Sequence, residues 1–190
     1  SKPRVDHVII PEPLNKDRVC LGHRGVWWAE IETHGRIAHG SMPFLGDSAI
    51  RHMGAVLTEM EETLFPALAK RTTAMPVVPP QARQSSMNIN SIHGGLPEPE
   101  EGFTGFPAAV VPHSTRLVID RRYLIEEAPD AVRQEVVDLL EKVKAERPGF
   151  RYDIRDLWTV PPTMTARDAP IVAAVSRAIG EVLGVAPEYV

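Results

Sequence analysis

The central part of this chain is predicted to be an α+β fold of ferredoxin-like, split βαβ order, with four antiparallel strands carrying two helices on one face. Three observations predict it. Segments of period two and segments of period 3.6 follow one another as β-α-β-β-α-β between residues 26 and 158. Each helical segment has a single apolar stripe and each strand a single apolar face, so two layers bury them all. The 18 prolines among 190 residues, about twice the average frequency, fall at the ends of these segments and so bound them sharply.

The elements follow in order. Residues 5–10, Val-Asp-His-Val-Ile-Ile, read as a short buried strand ended by Pro11 and Pro13. Residues 26–33 alternate, with Trp27, Ala29, Ile31 and Thr33 on one face and Trp28, Glu30 and Glu32 on the other. His34-Gly35-Arg36 reads as a turn or bulge, and 37–43 as a loop broken by Gly40 and Pro43. Asp47 or Ser48 can cap a helix whose stripe is Ile50, Met53, Val56, Leu57, Met60 and Leu64. Pro66 ends or kinks it, and residues 72–84 are a proline-rich connector. Residues 86–93 read as a strand with Met87, Ile89 and Ser91 facing one way, stopped by Gly94-Gly95. Residues 96–109, rich in Glu and Pro, read as an exposed loop before a strand at 115–124. Pro129 opens a second helix with Val132, Val136, Leu139, Leu140 and Val143 as its stripe, stopped by Pro148-Gly149. Residues 150–158 form a strand with Phe150, Tyr152 and Ile154 inward. Asp168 caps a last helix with Ile171, Val172, Val175, Ile179 and Val182 apolar and Gly184 at its stop.

Composition narrows the function classes. The net charge is -4, with 25 acids against 21 bases and no basic run, so no nucleic-acid footprint exists. No apolar run approaches the roughly 20 residues of a membrane span. One cysteine, Cys20, cannot form an internal disulfide; it reads as a buried, inert thiol and fits a reducing cytosol. Seven histidines match no compact metal-ligand spacing, and no phosphate loop, nucleophile elbow or dinucleotide fingerprint occurs. The chain starts at Ser1 rather than Met, and both ends read as cuts through a larger protein.

Three places could carry chemistry. Ala38-His39-Gly40-Ser41-Met42-Pro43 holds a histidine in a rigid loop; it either presents His39 to a partner site or is a solvent-facing turn. In Asp120-Arg121-Arg122 one guanidinium points to each face of a strand and needs an anion, or forms a surface salt bridge with Glu126 or Glu127. Pro11-Glu12-Pro13 puts a carboxylate at the end of the first strand, where ligands collect in α/β folds, or is a solvated loop.

The runs Asp6–Pro13, Gly22-His23-Arg24-Gly25, Gly35–Pro43, Met87-Asn88-Ile89-Asn90, Val110-Val111-Pro112 and Asp120-Arg121-Arg122, in this order, resemble the zinc amidohydrolases related to acetylornithine deacetylase and succinyl-diaminopimelate desuccinylase, which include aminoacylases and glutamate carboxypeptidases. The resemblance covers nearly the whole chain. It implies a lid and dimerisation domain at 21–160, with the end of the N-terminal part of a catalytic domain at 1–20 and the start of its C-terminal part at 161–190. It implies a cytoplasmic hydrolase of N-acyl amino acids with two zinc ions per active site (cobalt is the alternative metal), none of them bound by this piece alone. It also implies a homodimer joined through strand 86–93 and helix 47–65, without nucleic-acid or membrane partners. Of the residues, His39 matches the loop histidine that stabilises an oxyanion in the partner's active site. Arg122 matches the arginine that binds the substrate carboxylate, and Glu12 a metal ligand of the intact enzyme. Relatives carry Asn where this chain has Ala109, so the substrate is left open. Two readings of another class are an inactive dimerisation module and a small-molecule regulatory domain.

Overall fold

A computed structural model describes residues 4–11, 15–75, 77, 79–96 and 108–190. The sheet consists of β1 (Gly25–His34), β2 (Ser86–Gly94), β3 (Ser114–Tyr123) and β4 (Arg151–Val160) in the spatial order β2-β3-β1-β4. All three pairings are antiparallel. That is the expected split βαβ order, and it places β2 and β4 at the edges.

Alternation decides the faces. Trp27, Ala29 and Ile31 of β1 and Leu117, Ile119 and Tyr123 of β3 are buried beneath the helices. Helix α1 (Ala49–Glu59) continues through one wide turn, Met60–Leu64, into Phe65–Ala69. Ser48 caps it by accepting from the Arg51 N–H, as expected. Pro66 neither ends nor visibly breaks this helix. Pro66 has no N–H and its ring would crowd the carbonyl four residues back. The wide turn lies just before it, where the Phe65 N–H reaches Met60 O five residues back. Helix α2 (Pro129–Glu146) buries the five stripe residues expected of it. The two helices and the sheet enclose one core.

Two extra residues reset the strand faces. Ile89 pairs with Ile119 but Ser91 with Val118, so Asn90 is a bulge. Ser91 therefore moves to the open face, away from Met87 and Ile89, and Ile92 comes opposite Leu117. In β4, Trp28 opposes Trp158 but Ala29 opposes Asp156, making Leu157 the extra residue. Trp158 thus emerges on the open face, edge-on to Trp28 at 5.6 Å.

The flanks pair with each other. Arg18–Val19 lies parallel to Glu188–Tyr189, and Gly22–His23 antiparallel to Thr163–Met164. Helix α3 (Pro170–Leu183) sits between those later segments and ends at Gly184, whose φ of 69° is left-handed. Four expectations fail here. Residues 5–10 form no strand, and Val8 and Ile10 are 72% and 73% exposed, because no described segment offers them a backbone partner. Ala169, not Asp168, is the cap of α3, and no side chain bonds its first turn. Of its apolar stripe only Val172 is buried, and Val182 is 80% exposed. Cys20 is exposed, its thiol donating to Gly22 O at 3.0 Å. Among the described residues no helix is long and apolar enough to cross a membrane.

Candidate functional site

His39 does not sit in an unpaired loop. Ala38–His39 forms a two-residue antiparallel ladder with Val110–Val111, and the Gly40 N–H donates to Ala109 O at 2.8 Å. A Cβ on Gly40 would stand 3.0 Å from the Ala109 carbonyl carbon, so the tight approach favours glycine. The exposed His39 ring has Nδ1 2.8 Å from Ser41 Oγ, and the Ser41 N–H lies 3.2 Å from the same nitrogen. The backbone N–H can only donate, which makes Nδ1 the acceptor and leaves Nε2 as the N–H turned outward. In that tautomer the ring keeps a donor for a partner.

The arginines of Asp120-Arg121-Arg122 divide between the faces as alternation requires. Arg121 lies on the helix side and is fully buried. It donates to Ser85 Oγ, Arg122 O and Glu127 Oε1, each at 2.7 Å, and to Glu135 at 3.5 Å. Arg71 binds the same two glutamates from the other side. Burial pushes the Glu127 carboxyl up. Hydrogen bonds from Ser85, the Leu124 N–H and Arg71, with the charge of Arg121, outweigh that and hold it below the usual range.

Arg122 lies on the open face. Its Nε and Nη2 bind Asp120 at 2.7 and 2.9 Å, a two-pronged pair. Of the acids expected to meet the helix-side arginine, Glu127 does pair with Arg121, in the interior rather than at the surface, while Glu126 accepts from Thr73. Asp120 occupies one edge of the guanidinium, and Nη1 has no partner among the described residues. An oriented donor edge is thus left open to an anion.

Arg24 is a residue that sequence reasoning did not single out. It donates through Nη1 to Gln84 O at 2.9 Å and Ser86 Oγ at 3.0 Å, and no carboxylate salt-bridges it among the described residues. Burial lowers its pKa, and the charge of Arg122 lowers it further. Two cations therefore share the corner where β1 begins and β3 ends, against one aspartate. In sequence Arg24 stood only within the run Gly22-His23-Arg24-Gly25, and nothing there linked it to Arg122.

His39 and Arg122 stand at opposite ends of the sheet. Arg122 pairs with Val26 and the far end pairs His34 with Ser114, eight residues along β1. At about 3.3 Å per residue those ends are roughly 26 Å apart. Glu12 lies outside the described residues, as do 97–107. Among the described residues no group of three or more His, Cys, Asp and Glu could hold a metal ion.

A family model described as the peptidase dimerisation domain of the M20 group matches residues 21–148. The chain belongs to this family. The M20 dimerisation domain is part of metal-dependent peptidases, and by its description it is a self-associating unit. Acetylornithine deacetylase of Myxococcus xanthus is 27% identical over 187 residues, covering 98% of this chain and 44% of the deacetylase. A probable carboxypeptidase of Aspergillus flavus is 28% identical over 135 residues, 64% of this chain and 29% of that protein. The chain thus spans less than half the length of these curated relatives. Human carnosine dipeptidase 1 superposes with a TM-score of 0.70 at 18% identity, covering 92% of this chain and 45% of the dipeptidase. An M20 family metallo-carboxypeptidase from Sulfolobus solfataricus gives 0.68 at 15% identity, covering 90% and 45%. At these identities the likeness shows the α+β fold.

Proposed function

We propose that this chain is the lid and dimerisation part, residues 21–160, of a dizinc hydrolase that cleaves linear amide bonds in N-acyl amino acids. Residues 1–20 and 161–190 belong to its catalytic domain. The relatives' names, a deacetylase of acetylornithine and a probable carboxypeptidase, support the amide bond as the target. The described residues do not form a metal site. The zinc pair, with cobalt as the alternative, is therefore held mainly by residues beyond them, and Glu12 is the contribution of this chain. The 190 residues alone are expected to be inactive, and the single cysteine suits a cytosolic protein.

The observation that carries this reading is the separation of His39 from Arg122. His39 lies in the short ladder beyond the His34 end of the sheet and Arg122 near the opposite end, so one copy does not bring both to one small substrate. They serve it together only if each site combines Arg122 of one copy with His39 of another. A two-fold dimer made through the edge strand β2 and helix α1 does this for both sites at once. Arg122, oriented by Asp120, grips the substrate carboxylate through its open edge. The His39 Nε2–H donates to the amide oxygen as it gains negative charge. Neither group needs to change its protonation state to do so.

The test is His39→Ala in the complete enzyme, assayed on N-acetyl- and N-succinyl-amino acids. Loss of one oxyanion donor should lower kcat roughly 100- to 1000-fold. Near-normal turnover would sink the assignment.

A further inference from the structure

His52 is polar yet 1% exposed, on the core side of α1. Its Nε2 stands 2.8 Å from Asp47 Oδ2 and its Nδ1 2.8 Å from Arg147 Nε. The Arg147 Nε carries a hydrogen and no free lone pair, so Nδ1 must accept. Nε2 then carries the ring proton and donates to Asp47. The two contacts together select one neutral tautomer, and Phe150 closes the ring in edge-on at 5.5 Å.

Asp47 is the closing post of the loop that bears His39. Arg36 and Asp47 exchange two backbone hydrogen bonds of 2.8 Å, and the Arg36 Nε donates to Leu45 O inside the loop. The Gly35 N–H donates to His113 O at 2.8 Å. A Cβ on Gly35 would lie 2.1 Å from Asp47 O, so the closure leaves no room for a side chain there. On the far side Arg147 follows the last turn of α2. Asp47, His52 and Arg147 therefore tie the loop base, α1 and the end of α2 into one unbroken set of hydrogen bonds.

We propose that this relay is a positioning device: His52 fixes the geometry in which the loop presents His39. The inference rests on the reading of His39 as an oxyanion donor for another copy. A donor offered across a subunit boundary must be held in place by its own chain, because the partner's substrate is absent until binding. An apolar residue would fill the position of His52 on this helix, but only a group with one donor and one acceptor can bridge Asp47 to Arg147.

The experiment is amide hydrogen exchange with ring-nitrogen NMR on the full 190-residue chain, comparing wild type with His52→Gln, His52→Leu, Arg147→Met and His39→Ala. Gln offers the same donor and acceptor, so exchange at Arg36, Gly40 and Asp47 should stay within about twofold of wild type. His52→Leu and Arg147→Met break the relay and should speed those amides by about tenfold or more, leaving Ala29 and Ile31 unchanged. The His52 Nδ1 should give the signal of an unprotonated ring nitrogen. The proposal is overturned by wild-type loop exchange in His52→Leu, by equal acceleration of loop and strand amides, by failure of Gln to rescue, or by a protonated Nδ1. In His39→Ala the Arg36 and Asp47 rates should stay within about twofold of wild type, since their mutual hydrogen bonds do not involve the ring; a larger change counts against the relay, while the catalytic reading stands or falls separately on the turnover of that variant in the complete enzyme.

Discussion

The Arg121 guanidinium is enclosed by Ser85, Glu127 and Glu135, while Arg122 one residue on faces solvent with Asp120. Removing the buried cation as Arg121→Met keeps much of the volume but leaves two largely covered glutamates sharing Arg71 as their one remaining cation. The expected cost is about 3 kcal/mol or more, read from urea unfolding. Glu127 contributes to the pH dependence of stability. Its folded carboxyl titrates below the ordinary value of about 4.3. Its contribution is therefore complete above that pH and lost as pH falls through the folded value. Glu127→Gln should be less stable at pH 7 and show a flatter decline below about pH 4. That one arginine faces each side was legible from strand alternation. Glu127 was one of the two acids named for the helix-side arginine; its burial and the roles of Ser85, Glu135 and Arg71 were not legible, because Glu127 reaches Arg121 through a turn in which its carboxylate also caps the Leu124 N–H.

At the scale of elements, α2 was fully legible: five apolar residues at helical spacing, five buried side chains. Helix α1 was legible less completely. Ile50 belongs to its apolar pattern but is half-exposed, while Ala49 and His52 take places in the interior. A hydrophobic pattern cannot find a histidine whose burial depends on Asp47 and Arg147, residues outside the helix. The bulges at Asn90 and Leu157 were hidden for the same reason, since an extra residue exists only relative to a partner strand. Residues 5–10 show the converse: the pattern is that of a strand, but pairing needs a neighbour. The start of α2 offers an improvement. Ala128 is its N-cap in extended conformation and gives the first turn no side-chain acceptor. Ala128→Ser should raise stability by about 0.5–1 kcal/mol, measurable as a higher urea midpoint without a change in slope.

For the whole molecule, shared sites make a prediction that no single-site enzyme meets. In the complete enzyme, His39→Ala and Arg122→Ala should each be nearly inactive. After the two are dissociated, mixed in equal amounts and reassociated, half of the dimers are hybrids with one intact site of two. About a quarter of wild-type activity should return. Activity no greater than the sum of the separate variants would refute the shared site. The split βαβ order, and with it the placement of His39 and Arg122 at opposite ends, was legible once the elements were in order. The fastening of the His39 loop to Val110–Val111 was not, because it joins two short segments that each lack a pattern.

The pairing of Gly22–His23 with Thr163–Met164 has a consequence of its own. The backbone leaves for the sheet and returns from it through one doorway, two strands lying about 4.8 Å apart. A Cβ on Gly22 would come within 2.1 Å of Thr163 O, so the two passages are pressed together as closely as backbone allows. The chain between them begins and ends at neighbouring points. A short linker could therefore span from one passage to the other over the distance of a single strand pairing.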